Sequence, residues 1–389
     1  MAVNLYLRRA SGSPVERVAF VNHLRLGSAS SFRQAGLAKY LGRLGATSDF
    51  LGRQGRQTGR AVRTSEWPCF ERISYWNEPL VRRFSENLSL FRTVARDNPI
   101  LHVNRANPYS ATIAALGRGP SNKLVVDMED WDGFGGYASY THLYGAKGGT
   151  LTLYENVFPR LGDLVLTVSH LLTKVMVHLG VPPEKLLLVP NGYDEELFMP
   201  STSGAGMREK YGLKDSPVVI YMSTFWRFER GLHEIALNAF KDVSAEMPEA
   251  KMLLVGGGDL EVSLLVNQLG LQGKAIPTGF VDRSQIPSVI AAADVAMHVI
   301  SDHPFHAASS PMVMPEYMAM GKPIVAPRIG ELAYALDGGA GWLVGSADPN
   351  LLAQGVKALL NDEDERREMG QRALKKVKEE YSYARLAAK

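Results

Sequence analysis

The chain has 389 residues, of which 46% are hydrophobic and 21% charged. That length exceeds one typical core, and that composition excludes a disordered or collagen-like chain, so two globular domains are expected. The single cysteine, Cys69, permits no intrachain disulfide. No apolar run approaches the roughly 20 residues of a membrane-spanning helix. Arg8 and Arg9 lack a following apolar stretch, so no signal peptide is expected. The net charge of +3 conceals an asymmetry, because residues 1–100 carry sixteen basic and seven acidic side chains. Those bases include Arg25, Arg33, Arg43, Arg53, Arg56, Arg60, Arg63, Arg82 and Arg83. They form either a solvated basic face or a surface for an anionic partner, a lipid-phosphate acceptor or an anionic membrane. Nucleic acid is not expected, since the segment 53–63 lacks interleaved aromatics for base stacking.

In chain order, Val18–Asn22 is an apolar run suited to a buried parallel strand. A small-residue loop through Gly27 follows, and then a helix over Phe32–Leu44 ending at Gly45. This strand–loop–helix unit turns helix N–H groups toward a phosphate, although it is not a GxGxxG fingerprint. Residues 46–80 are polar and poorly periodic and read as loops with short elements. Glu86–Asp97 reads as a helix and Ile100–Val103 as a strand. Lys123–Val126 is a further strand, followed by the acidic run 127–132 and Gly133–Gly136. Carboxylates at a strand's C-terminal end lie where open α/β sheets bind ligands, so Glu129 or Asp130 is expected to face an acceptor hydroxyl. A solvated, helix-capping loop is the plainer alternative, and Asp130-Trp131-Asp132 also mimics a D-x-D metal motif. Leu164–Ser169 is a strand whose Ser169 caps a helix over Leu171–Leu179. Leu186–Val189 is another strand, ending in the Asn191–Gly192 turn. The Ser/Gly/Pro-rich stretch 199–215 reads as an interdomain linker.

The second half restarts with strand Pro217–Met222 and a loop to Gly231, then a helix over Leu232–Phe240. Arg227 and Arg230 at that turn would suit a diphosphate. Lys251–Val255 runs into the glycine-rich turn around Gly257. Ala275–Phe280 and Ala293–Ile300 supply two more strands. The stretch 303–327 reads as a polar loop, a short helix with Pro315 at its first position, and a strand over Ile324–Ala326. Glu316 falls in that helix's first turn, either as a capping residue or as a ligand for sugar hydroxyls. Gly321 ends the helix. Residues 351–380 form a helical, Lys/Glu-rich tail. Alternating strands and helices in both halves predict two doubly wound α/β domains facing each other across a cleft.

Two long stretches carry a resemblance. Residues 162–198, GDLVLTVS through GVPPEKLLLVPNGYD to Phe198, and the stretch ending PEYMAMGKPIVA, resemble the signatures of GT-B fold, retaining glycosyltransferases of family 4. The resemblance spans Val18 to about Ala387. It implies an N-terminal acceptor-binding domain over 1–198 and a C-terminal nucleotide-sugar-binding domain over 199–374, with a helix over about 375–389 packing back on the first. It implies a metal-independent transfer, with retained configuration, from a UDP-, GDP-, ADP- or dTDP-linked sugar to an acceptor hydroxyl. The acceptor would be a glycan, a lipid-linked sugar or a small molecule. Location would be cytoplasmic, with peripheral contact on the inner face of the membrane. Glu316 matches the ribose-binding glutamate and Arg230 the diphosphate-binding cation. Gly27, Asn191, Arg227, Gly257, Phe280, Ser309 and Ser310 complete the expected donor site. Glu129, Asp130 and Arg230 are the expected catalytic groups. No cofactor or metal is expected.

The chain also departs from that pattern. Ala308 stands where the first glutamate of the signature would be, Thr224 where an arginine would be, and Glu129 where a histidine would be. Those departures keep two other readings open: a sugar-nucleotide epimerase or hydrolase, and a non-catalytic GT-B protein that binds a glycan or nucleotide sugar. A nicotinamide dehydrogenase is not expected, for want of a glycine-rich turn with the right spacing.

Overall fold

The computed structural model describes residues 16–54, 56–57, 60–61, 65, 67–224, 229–257 and 259–389. The side chains of residues 56, 57, 60, 61, 259 and 260, and Arg227 altogether, lie outside that description. The chain divides into two units. The first runs to Gly192 and takes in Ala308–Ser310 and Tyr383–Lys389, and the second comprises Tyr193–Ala307 and Pro311–Ser382.

The first unit is built on a seven-stranded parallel sheet. Its strands are β1 (Arg17–Arg25), β2 (Thr47–Arg53), β5 (Arg72–Tyr75), β6 (Ile100–Asn104), β7 (Lys123–Met128), β8 (Leu164–Thr167) and β9 (Leu186–Leu188). A small antiparallel pair, β3 (Arg56–Gln57) and β4 (Arg60–Ala61), stands apart. The sheet order is β5-β2-β1-β6-β7-β8-β9, which reverses direction between β1 and β6. Helices α1 (Ala29–Arg43), α2 (Phe84–Asp97), α3 (Pro108–Gly117), α4 (Tyr137–Tyr140), α5 (Ala146–Val157) and α6 (His170–His178) connect the strands. The apolar strands bury the two faces of the sheet in separate cores. That double burial is what near-continuous Val/Ile/Leu runs require.

The second unit repeats the plan. Its first elements are α7 (Ala205–Lys210), β10 (Val218–Met222), α8 (Arg230–Glu246), β11 (Lys251–Val255), α9 (Asp259–Gln268) and β12 (Ala275–Gly279). Next come α10 (Ile286–Ala291), β13 (Val295–Met297), α11 (Pro304–Ala307), α12 (Val313–Ala319), β14 (Ile324–Pro327) and α13 (Gly330–Ala335). The unit ends with β15 (Trp342–Val344), α14 (Pro349–Asn361) and α15 (Glu363–Glu380), while α16 (Tyr383–Ala388) belongs to the first unit. The order β12-β11-β10-β13-β14-β15 reverses between β10 and β13. In such a sheet, ligands bind beyond the carboxyl ends of the strands at the reversal. Both halves are therefore doubly wound α/β units.

Three local expectations change. The stretch 46–80 contains β2, a buried strand whose Asp49 is paired with Arg72 and Arg17 and accepts from Asn98. The stretch 199–215 is packed into the second unit rather than free: Leu213 is in its core, and Arg208 donates to the carbonyls of Lys214, Ala292 and Ser216. Helix α12 begins at Val313, which makes Pro315 its third residue rather than its first. Pro315 is still in the first turn, where a missing N–H breaks no bond.

Helix α1 packs on α16 through a glycine. A Cβ at Gly36 would lie 2.3 Å from the buried Tyr383 ring, whereas one at Gly42 would meet nothing within 4 Å. Gly36→Ala is expected to lower the unfolding free energy by about 1–3 kcal/mol. Gly42→Ala, in the same helix, should raise it by about 0.5–1 kcal/mol. Paired denaturant titrations of the two variants check both signs.

Candidate functional site

Where the first sheet reverses, β1 and β6 end in polar residues, and the first half of α1 lies above them. Gly27 has φ +94°, and its N–H donates to Ser31 Oγ at 2.8 Å while Ser28 caps the helix. The expected phosphate loop thus satisfies part of its backbone internally. Arg33, on the buried face of α1, is fully enclosed. It grips Asp127 bidentately at 2.9 and 3.0 Å and donates to the carbonyls of Val189 and Pro190 and to Asn191 Oδ1. These contacts engage all five guanidinium N–H groups, which is what a buried arginine needs. Asp127 also faces His102 Nε2 at 3.0 Å. Although burial works against its charge, Arg33 and His102 hold Asp127 well below the usual carboxylate range.

Glu129, two residues on, behaves oppositely. Burial and then the Asp127 charge push it up to about 7. Ser30 Oγ donates to its Oε2, and its Oε1 has no hydrogen-bond partner among the described residues. The amide of Asn104 and the Nε2 of Gln34 are likewise buried without a partner there. Two carboxylates with pKa values driven apart are a recurring mark of acid–base sites. Asp130 and Asp132 are both paired with Arg105, which adopts the left-handed conformation at φ +58°. The D-x-D pair therefore already holds a cation. Glu155 accepts from the N–H groups of Asp132 and Gly133 at 2.8 and 3.0 Å, and burial pushes it up to about 8. The glycines that follow are wrapped on Trp131, where a Cβ at Gly136 would sit 2.0 Å from the Trp131 carbonyl oxygen.

Asn191 ties this unit together. Its N–H donates to Ser310 Oγ at 3.1 Å and its Nδ2 to the Ser310 carbonyl at 2.6 Å, while Ser169 Oγ donates to the Ala308 carbonyl. Asn191 and Ser310 are thus spent on packing, and Ser309 is half-buried beside them. Ala308 is enclosed in the apolar core with Val168 and Leu172. A carboxylate at that position would be buried without compensation, which accounts physically for the departure from the two-glutamate signature.

In the second unit Glu316 stands on α12 with 1% of its side chain exposed, and Arg283 Nη1 lies 2.5 Å from its Oε1. Burial raises Glu316, and Arg283 opposes that rise. Tyr317, the next residue, accepts a hydrogen bond from the Met222 N–H at the end of β10. Lys322 is anchored on the carbonyls of Ala291 and Ala293, so it closes α10. At the end of β13, burial and then His306 push His298 down to about 4. His306 faces Ser301 Oγ with Nδ1 and Glu229 Oε1 with Nε2, at 2.7 and 3.5 Å. Phe280, just past β12, is 55% exposed, and nothing crowds Gly257 beyond β11. The Arg230 guanidinium is turned to Glu234 at 2.8 Å and Gln268 at 3.3 Å. Arg227 lies outside the described residues. Among the described residues no group of three or more His, Cys, Asp or Glu could hold a metal ion.

Of the expected site residues, Glu129, Asp130 and Glu316 lie against Ser30, Arg105 and Arg283 respectively, partners that the sequence did not single out, as it did not Arg33, His298 or His306. Three histidines within nine residues, at 298, 303 and 306, were an available signal.

Residues 216–362 match the family model "Glycosyl transferases group 1", a segment that includes β10 to α14 and Glu316. Over 223 residues the chain is 27% identical to N-acetyl-alpha-D-glucosaminyl L-malate synthase of Bacillus anthracis, covering 56% of each chain. Over 231 residues it is 28% identical to the GDP-mannose-dependent alpha-(1-6)-phosphatidylinositol monomannoside mannosyltransferase of Mycolicibacterium smegmatis, covering 57% of this chain and 60% of that one. The matched stretch thus spans little more than half of these curated relatives. Among solved structures, Anabaena HepE in complex with UDP and glucose is similar with a TM-score of 0.75 at 18% identity, covering 96% of this chain and 97% of that one. Sucrose-phosphate synthase from Thermosynechococcus elongatus gives 0.70 at 19%, covering 96% of each. The likeness extends the shared fold, two parallel sheets with helices, to nearly the whole chain.

The raised Glu129 has a consequence for stability. Its folded pKa lies above its unfolded one, so the protonated form favours folding. That stability is fully present below about pH 4.5 and is lost as pH rises to about 7. Glu129→Gln should therefore gain about 2–3 kcal/mol on the wild type between those pH values, read from denaturant unfolding at each. Parallel stability curves for the two proteins would contradict the assignment.

Proposed function

We propose that the chain transfers a sugar, with retention and without a metal ion, from a nucleoside-diphosphate donor to an acceptor hydroxyl. The observation that carries this reading is Glu316, a buried carboxylate on α12 within the segment that matches group 1 glycosyl transferases. A carboxylate there can accept both hydroxyls of a ribose in charge-assisted hydrogen bonds. Phe280 offers an exposed ring for the base. HepE, with the same fold, was solved with UDP and glucose.

In this reading the first unit presents the acceptor. The acceptor hydroxyl approaches Glu129, whose pKa near neutrality suits it to hold that proton in a hydrogen bond. The hydroxyl oxygen forms the new bond to the anomeric carbon as the bond to the donor phosphate breaks. The proton passes to the departing diphosphate oxygen on the same face, so configuration is kept. Arg227 and Arg230 are the cations nearest in sequence to the diphosphate turn, and using Arg230 requires it to leave Glu234. The pairing of Arg105 with Asp130 and Asp132 supports metal independence, because the carboxylates a metal would need already hold a cation. Acceptors of this chemistry are glycans, lipid-linked sugars or polyhydroxylated small molecules.

The fold is shared, at a TM-score of 0.64 and 13% identity, with a Listeria monocytogenes protein described as a putative UDP-N-acetylglucosamine 2-epimerase, and a second reading follows from it. An epimerase or hydrolase would consume donor with no acceptor present, which product analysis separates directly. For the transferase, Glu316→Ala should lower kcat/KM by about 2–4 kcal/mol, roughly 30- to 1000-fold. EDTA should leave the wild-type rate unchanged. Undiminished kcat/KM in the variant removes Glu316 from the site, and a rate abolished by EDTA and restored by Mg²⁺ overturns metal independence.

A further inference from the structure

The Arg283–Glu316 pair is unequal. The carboxylate is sealed in the second unit with 1% of its side chain exposed, whereas 23% of the Arg283 side chain reaches solvent. Nη1 lies 2.5 Å from Oε1, so the guanidinium sits on the oxygen that a ligand hydroxyl would use. The backbone beneath Arg283 is pinned: Asp282 Oδ1 accepts from the Ser284 N–H at 3.0 Å and from its hydroxyl at 2.8 Å, which starts a short 3-10 turn over Arg283–Gln285. The same side chain already lies on a second surface. Its Cζ lies 5.1 Å from the centroid of the Phe198 ring, a face that attracts a guanidinium.

We infer that Arg283 is a displaceable cover on Glu316, and that the cis-diol of a ribonucleoside diphosphate takes its place while the guanidinium keeps its contact with the Phe198 ring. The inference rests on the reading of Glu316 as the ribose-binding carboxylate. The exchange is chemically reasonable, because a ribose diol supplies two O–H donors to one carboxylate, charge-assisted hydrogen bonds in place of the ion pair. A 2′-deoxyribonucleoside has one donor in that place, too few to displace the guanidinium, and so binds with the cover still on Glu316. Arg283 thereby acts as a positioning residue that sets both donor affinity and the preference for ribose over deoxyribose.

The test is calorimetric titration of the full chain with UDP, GDP and ADP, and with the 2′-deoxy counterpart of whichever binds most tightly. Arg283→Gln should bind that ribonucleotide about tenfold more tightly than the wild type, since no cation has to be displaced. It should change the deoxy counterpart by less than about threefold. Equal or weaker ribonucleotide binding, or the same gain for both nucleotides, overturns the inference. Phe198→Leu, which keeps the ion pair but removes the ring, should weaken ribonucleotide binding, and unchanged binding counts against the ring's part in holding the displaced guanidinium. Glu316→Gln separates the two levels of the argument. If no nucleoside diphosphate binds, or if Glu316→Gln leaves binding unaltered, the reading of the site fails. If binding needs Glu316 but is indifferent to Arg283, only the cover is overturned.

Discussion

A carboxylate taken out of water has to be compensated, and among the described residues Glu316 meets that constraint with a partially exposed arginine. Around the pair the second unit is an ordinary doubly wound sheet, tied by Tyr317 to the end of β10 and by Lys322 to the end of α10. A buried ion pair of this kind is weak evidence for stability, because desolvation consumes much of the Coulombic gain. Its retention at the ligand edge of a sheet is better explained by use. The first unit solves the same problem differently. Arg33 is fully enclosed with every N–H engaged, and its partner Asp127 is held ionised. That network is closed. Glu129, beside it, is left with a raised pKa and one oxygen that has no hydrogen bond among the described residues, only the Arg33 charge at 3.8 Å. Each unit thus carries one carboxylate whose environment leaves it able to exchange partners.

Much of the fold could be read in the sequence, because strands buried on both faces declare themselves as apolar runs. β1, β6, β7 and β8 all did so. β2 did not, since Ser48, Asp49, Gly52 and Arg53 break the run, and the compensation for Asp49 arrives from residues 23 to 49 positions away. The same reason hid most of the site. Arg33 on a helix reads as a solvated base until the fold brings Asp127, 94 residues on, against it. Arg105 and Arg283 are equally silent, because their meaning lies in pairs and not in spacing. The family resemblance supplied Glu316 and noted the alanine at 308, but only the packing of Ala308 in an apolar core explains why no acid stands there.

The basic excess of the first hundred residues looks different in three dimensions. Arg33 is interior, Arg53 is paired with Glu78, Arg72 with Asp49 and Asp97, and Arg83 with Glu86. Several of these arginines are therefore occupied locally, but their partners, Asp127 apart, are among the seven acids already counted, so the basic excess itself persists. Among the described residues no helix is long and apolar enough to cross a membrane.

The central claim is that Glu316 receives the ribose of a nucleoside diphosphate, and a crystal structure of the chain with the tightest-binding nucleoside diphosphate tests it most directly. The ribose hydroxyls are expected within hydrogen-bond distance of Glu316, with the Arg283 guanidinium moved off its carboxylate. A nucleotide bound elsewhere, with the Arg283–Glu316 pair intact, would contradict it.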